Sequence, residues 1–243
     1  MKIKEVGFIG FGNFGKFIIP HLIPFFKITV YDSINLSTEV TAIGCKWGTL
    51  KEVCDKDIVV AGVPVQFLEN LLKEIKQYVK PGTLFIDISS VKVKPVNLMV
   101  AHLKHGVEIL GTHPLFGPQS GKYGIAGLNL VICPVNCKRV NLIVKFFSKI
   151  LKLNVLERTP TTHDKQMAYV QALTHFIGRA INEMDIPDVE QKTPAYQYLL
   201  DIKKNLGGDS MDLFLTIEKE NPYAKEVRDS FIEELNALNR KLE

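Results

Sequence analysis

The segment VGFIGFGNFG, residues 6 to 15, constrains the fold of this chain more than any other stretch. Gly10, Gly12 and Gly15 stand in the spacing GxGxxG, behind a strand-like run and ahead of a helical one. Glycines at that spacing allow a tight strand-to-helix turn and let the backbone approach a pyrophosphate. The helix start then offers unpaired N–H groups and a partial positive charge. Gly10, Phe11, Gly12, Asn13, Phe14 and Gly15 are therefore the candidate phosphate cradle. A second strand-like run, Lys27–Tyr31, ends on Asp32, at the distance of about 20 residues where such folds place a ribose-binding acid. A carboxylate there accepts from the ribose hydroxyls and repels a 2′-phosphate, which predicts NAD rather than NADP.

The rest of the first 155 or so residues supports the same fold. Strand-like runs recur at Ile58–Gly62, Leu84–Ile88, Val107–Gly111, Asn129–Cys133 and Asn154–Leu156, several of them continuous in Val and Ile. Helical patterns such as Gln66–Val79 and Arg139–Leu151 fill the gaps. This alternation predicts an α/β, Rossmann-like doubly wound sheet covered on both faces. Past Arg158 the pattern changes. TPTTHD predicts a helix start, with Thr161 or Thr162 as the cap and Asp164 in the first turn. Met167, Val170, Leu173, Ile177, Ile181 and Met184 then recur at helical spacing until Pro187. The remainder reads as helix, broken at NLGGDS and near ENPY. The expected division is a dinucleotide-binding domain over 1–158 and a small all-helical domain over 159–243.

Three stretches fall at the carboxyl ends of predicted strands: GVP at 62–64, DISSVK at 87–92 and GTHPLFGPQSG at 111–121. In an open parallel sheet these ends line one crevice, the usual cofactor edge. Val63 and Pro64 are assigned to that edge. His113 is carried to it by its strand and fixed there by Pro114, which makes it a candidate general base.

Composition narrows the classes of function. The net charge of +4 is mild and its lysines and arginines are scattered, so no nucleic-acid partner is expected; a small anionic substrate fits. No apolar run approaches the roughly 20 residues of a membrane span, and the start of the chain carries no signal-peptide pattern. A cytoplasmic location is the expectation. Cys45, Cys54, Cys133 and Cys137 match neither a zinc ribbon nor a redox pair, and no metal site is expected. His102 and His105 read as surface residues of a helix.

Taken together, the glycine turn, SSVK, HPLFGPQSG and HDKQMAYVQALTHF resemble the prephenate/arogenate dehydrogenase family of tyrosine biosynthesis, with a likeness to the dehydrogenase part of bacterial chorismate mutase/prephenate dehydrogenases. The resemblance covers nearly the whole chain. It implies a nucleotide-binding domain followed by a helical domain that forms a homodimer. It also implies oxidative decarboxylation, in which NAD takes a hydride from the hydroxyl-bearing ring carbon and loss of carbon dioxide aromatises the ring. By position, His113 hydrogen-bonds the substrate hydroxyl and accepts its proton, and Ser90 orients that histidine and the nicotinamide end. Lys92 completes the motif and braces the turn. His175 matches a helical-domain histidine that faces the substrate, while Gln119 and Ser120 sit in the turn expected near a substrate carboxylate.

One family feature is missing. The arginine that grips a substrate carboxylate falls near Asn205, where only Lys203 and Lys204 stand close. Lysine does not supply arginine's bidentate fork. Gln171, His175 and Arg179 follow at i, i+4 and i+8, so Arg179 is a candidate replacement, against an exposed or dimer-face role. Three readings remain: prephenate or arogenate as substrate, another small hydroxy acid, or a dinucleotide-binding regulator without turnover.

Overall fold

The computed structural model of the chain describes residues 5–206 and 209–243. The chain divides into two compact units, Met1–Pro160 and Thr161–Glu243. The first unit runs β1 (Glu5–Ile9), α1 (Asn13–Leu22), β2 (Lys27–Tyr31), α2 (Ser37–Ala42), β3 (Lys46–Trp47), α3 (Leu50–Cys54), β4 (Ile58–Ala61), α4 (Val65–Ile75), β5 (Leu84–Asp87) and α5 (Val93–His102). It continues through β6 (Glu108–Pro114), β7 (Asn129–Pro134), α6 (Val140–Lys145), a π-helical turn (Phe146–Ile150) and β8 (Asn154–Glu157). His105 lies in the turn after α5 and not on the helix, because α5 stops at His102.

Among the described residues the strands form one sheet in the order β3-β2-β1-β4-β5-β6-β7-β8. All neighbours are parallel except β6 and β7, so the doubly wound expectation holds with one reversal near the edge. β3 has only two residues, too short for any periodic signal. The larger difference is at β6. The sequence pattern stops it at Gly111, ahead of a proline, but the strand continues to Pro114. The antiparallel partner makes this possible: Thr112 pairs with Ile132, His113 with Val131 and Pro114 with Leu130. The Leu115 N–H then bonds Asn129 O at 2.9 Å, just past the residue that has no N–H to give.

Crossover handedness decides which face each helix covers. α3, α4 and α5 pack on one face through Val53, Leu68, Leu72, Ile75, Val96 and Met99. α3 lies so close to β1 that a Cβ on Gly7 would stand 2.0 Å from Val53 O. α1 and α2 cover the other face over the first strands. The reversal at β7 sends α6 to that same face, at the far end of the sheet. Among the described residues, the strip over β4 and β5 between α1 and α6 therefore receives no helix of this unit. Phenylalanines crowd around it. Phe26 meets Phe146 at 5.1 Å and Phe14 meets Phe116 at 6.4 Å between ring centroids. The π turn adds a residue to its helix, and both Phe146 and Phe147 pack toward this core.

The second unit is helical: α7 (Pro160–Met167), a π segment (Ala168–Leu173), α8 (Thr174–Glu183), α9 (Pro194–Leu206), α10 (Met211–Glu220) and α11 (Ala224–Arg240). Three sequence expectations change here. α7 begins at Pro160, a favoured first helical residue, so Thr161 and Thr162 lie inside the first turn and do not cap it. Asp164 falls past the first turn of α7 and is buried: it sits 2.7 Å from His163 Nδ1, and its carbonyl accepts from Asn221 at 2.8 Å. The single apolar face is also interrupted. Met167 and Ile181 are buried, whereas Val170 and Met184 are exposed. A π segment between them breaks the 3.6-residue phase on which the stripe depends. Within the expected NLGGDS break, Gly207 and Gly208 lie outside the described residues; Ser210 caps α10 by accepting from Leu213 N at 3.2 Å. Among the described residues no helix is long and apolar enough to cross a membrane.

Candidate active site

Two of the three glycines of the opening turn meet a steric demand, and the third leaves the approach to the helix start open. Gly10 has φ +99°, and a Cβ there would stand 2.4 Å from Gly62 O. Gly15 faces Gly10 O, which a Cβ would meet at 2.7 Å, so the helix packs tightly on the turn. Gly12, the N-cap of α1, has nothing within 4 Å of its Cβ direction and no side-chain cap. That open approach to a helix start with no acidic residue in its first turn is the geometry a pyrophosphate requires. Asp32 closes the turn from β2, accepting from Phe11 N at 2.6 Å and Ile34 N at 3.0 Å. The Phe11 side chain is buried in the core and Phe14 packs on Phe17 and Phe116. Asn13 is exposed.

The register carries this edge across the sheet. Ile9 pairs with Tyr31 and with Ala61, Ala61 with Asp87, and Asp87 with Gly111. The residues just beyond form one row: Gly10, Asp32, Gly62, Ile88 and Thr112, with His113 next. Val63 is half-buried and Pro64 exposed at the start of α4. Ser90 is half-buried in the turn after β5. Gln119 and Ser120 are exposed, and the Ser120 hydroxyl closes its own turn by accepting from Gly117 N at 3.0 Å. Gly121 anchors that turn on α1, since a Cβ there would stand 2.3 Å from the Phe17 ring.

His113 is 4% exposed, so it stands within the sheet's end and not on a surface loop. Beneath it is a polar lock that the sequence pattern only hinted at. Lys92 is fully buried and ion-paired with the buried Asp87. Its ammonium also donates to Thr112 O at 2.7 Å, the carbonyl directly before His113. Thr112 Oγ1 in turn donates to Asp87 O at 2.8 Å. Ser89, and not its neighbour Ser90, completes the group: its hydroxyl donates to Asp87 at 2.6 Å. The signal available in advance was the spacing of Asp87 and Lys92 within DISSVK, an acid and a base on either side of one strand-to-helix turn.

The four cysteines are free, three of them buried. Burial pushes the Cys54 thiol up to about 12 and Cys137 up to about 11, so both remain protonated packing groups.

In the helical unit, His175 and Arg179 line one cleft together with Gly178, Asn182, Asp209 and Phe214. Gln171, the first member of the predicted stripe, does not line it; it lies in the π segment, where helical phase is lost. Among the described residues, Arg179 Nε is buried without a hydrogen-bond partner, while Nη2 donates to Met211 Sδ at 3.2 Å. Its guanidinium lies 5.4 Å from the Phe214 ring centre, and the nearest carboxylate with which it pairs, Glu183, is 3.8 Å away. Asp209 stands 3.7 Å from His175 Nδ1. Burial lowers the pKa of His175 and raises that of Asp209, each opposed by the other's charge. Asp209 follows two glycines in a break between helices, and no pattern singled it out. Lys203, near the missing arginine, is held by Asp185 at 2.7 Å.

The family model described as "Prephenate dehydrogenase, nucleotide-binding domain" matches residues 24–150, and one described as "TYRAAT1-like, C-terminal domain" matches 180–243. Arogenate dehydrogenase 1, chloroplastic, of Arabidopsis thaliana is 28% identical over 98% of this chain and 39% of its own length. A probable arogenate/prephenate dehydrogenase of Methanocaldococcus jannaschii is 30% identical over 75% of this chain and 43% of its own. The chain thus spans about two fifths of the length of these two relatives. Among solved structures, prephenate dehydrogenase from A. aeolicus, in complex with hydroxyphenyl propionate and NAD+, matches all of this chain and 91% of its own at 20% identity, with a TM-score of 0.77. Synechocystis arogenate dehydrogenase matches 98% of this chain and 91% of its own at 15% identity, with a TM-score of 0.72. These likenesses agree with the fold described above.

Proposed function

The chain belongs to the prephenate/arogenate dehydrogenase family, and from that premise we propose that it is an NAD-dependent dehydrogenase that oxidatively decarboxylates arogenate or prephenate. The observation that carries this reading is the row at the sheet edge, which sets the glycine turn, Asp32 and His113 along the carboxyl ends of neighbouring strands. Gly10, Gly12 and Gly15 hold the pyrophosphate, and Asp32 exchanges its bond to Phe11 N for the ribose hydroxyls. Val63, Pro64 and Ser90 border the nicotinamide end. NAD supplies the hydride acceptor when bound. His113 accepts the proton of the substrate hydroxyl as the carbonyl forms, the neutral imidazole offering a ring nitrogen as the acceptor.

Asp32 determines the choice of cofactor. A 2′-phosphate placed beside its carboxylate meets like charge, so NAD binds at least about tenfold more tightly than NADP, a difference of about 1.4 kcal/mol. Titration of both cofactors checks this, and tighter binding of NADP would refute it.

For the substrate, Arg179 and Asp209 favour arogenate. One cleft offers a guanidinium whose Nε is unpaired among the described residues and a carboxyl group that faces the His175 imidazole. An α-amino acid head presents a carboxylate to the first and an ammonium to the second. The keto acid of prephenate has no ammonium to offer Asp209. Assays that follow reduced cofactor with each substrate should give a higher kcat/KM for arogenate. Asp209→Asn should narrow that preference by roughly tenfold or more, as expected for a hydrogen-bonded charge pair worth about 1.5–3 kcal/mol. Equal use of both substrates by the parent protein would remove this assignment and leave the dehydrogenase reading intact.

The active form is a homodimer joined through the helical unit. α11 carries Ile232, Leu235 and Leu238 at 40%, 49% and 55% exposure, three leucine-type side chains on one flank. A second copy of the helix covers such a stripe in a two-fold interface. Light scattering should report a dimer at micromolar concentration, and Leu235→Lys should shift it toward monomer. A parent protein that is monomeric under these conditions rules the interface out.

A further inference from the structure

Among the described residues, the strip of sheet that no helix of the first unit covers lines a partly open apolar pocket of about 230 Å³. Phe8, Val60 and Ile86 form its floor, and Phe14 of α1 and Phe147 of the π turn stand on opposite sides. The cavity follows from topology: α4 and α5 cross on the other face, and the reversed β7 carries α6 beyond the gap. We infer that it is a binding site for a small, neutral, apolar molecule of one or two rings.

The lining determines the chemistry. Among the described residues, only Thr112 and Arg139 bring polar side chains to it. Thr112 Oγ1 is bonded to Asp87 O at 2.8 Å, while Arg139 is bonded to Glu108 at 3.1 Å and Gly82 O at 2.8 Å. Apolar side chains make up nearly all of the lining, so a water finds few of the two to four polar partners it needs and a charged ligand loses its hydration for little return. A peptide segment is excluded on the same ground, because its backbone N–H and C=O groups would go unpaired. A helix, about 10 Å across with its side chains, is also too large for this volume. A hydrocarbon-like ring meets neither obstacle, and an apolar cavity of about 150 Å³ already suffices for benzene. An occupant touches Phe14 of the glycine turn and Phe116 of the turn after His113, so the site adjoins the active edge without sharing a residue assigned to proton transfer.

Naphthalene is the probe, with the full chain and no cofactor present. The expected result is a saturable rise in melting temperature of roughly 2–4 °C, with nuclear Overhauser contacts from the probe to the Val60 and Ile86 methyl groups. Naphthalene-2-sulfonate, the same rings with a charge, should give no rise. Val60→Phe and Ile86→Phe each place a ring in the cavity and should abolish the response to naphthalene. Absence of any rise, contacts to other methyl groups, or a rise that survives in a folded filled variant overturns the proposal. None of these readouts depends on dehydrogenase activity.

Discussion

Replacing Lys92 by methionine should destabilise the protein by about 3–5 kcal/mol, the range for removing one partner of a buried ion pair. Lys92 is fully buried and Asp87 nearly so, so the substitution leaves a carboxylate in the core without its cation. It also strips a donor from Thr112 O, bonded to the ammonium at 2.7 Å. Methionine fills the space of the lysine stem, so little of the loss comes from a cavity. Asp87→Asn in the Lys92→Met background should recover part of the loss, since a neutral amide no longer needs the ammonium. Urea denaturation of the parent, both single variants and the double variant measures the coupling directly. A loss below about 1 kcal/mol for Lys92→Met would show that the pair contributes little. The position of the pair makes the result matter for function, because the carbonyl it holds belongs to the residue before His113.

This lock also shows where sequence reading stops. Strands such as β1, β2 and β4 are legible because burial on both faces writes continuous apolar runs, and the GxGxxG turn because Gly10 and Gly15 answer steric demands while Gly12 keeps the helix start open. The seven-residue β6 was cut short because its last pairs depend on β7, a partner whose reversed direction no local pattern encodes. The apolar stripe breaks at Val170 and Met184, and the polar one at Gln171, for a related reason: one π segment shifts the phase, and nothing in the residue types announces it. Asp87 and Lys92 stood within a quoted motif, but only the fold brings Thr112 to them from 20 residues away. Asp209 carried no local signal at all; the cleft beside Arg179 assembles it from a separate helix end.

The largest kinetic effect is expected at His113. His113→Asn should lower turnover by roughly 10²–10⁴-fold, the usual contribution of a general base. Asparagine keeps a polar side chain of smaller size at the strand position paired with Val131. NAD affinity should change little, because the glycine turn and Asp32 carry it and neither contacts the substituted side chain in the bonds described. The parent activity should rise with pH as the imidazole loses its proton, since only the neutral ring has a lone pair to accept one. The variant should lose that limb of the profile and retain whatever dependence the substrate and other groups impose. A structural histidine gives the opposite pattern. Its removal would lower stability and cofactor affinity together, and the residual activity would keep the parent's pH profile. Urea midpoints, NAD titration and pH–rate curves on one pair of proteins therefore separate the two roles, and the structural pattern would take the proton-accepting step away from His113 while leaving the fold and the nucleotide turn as described.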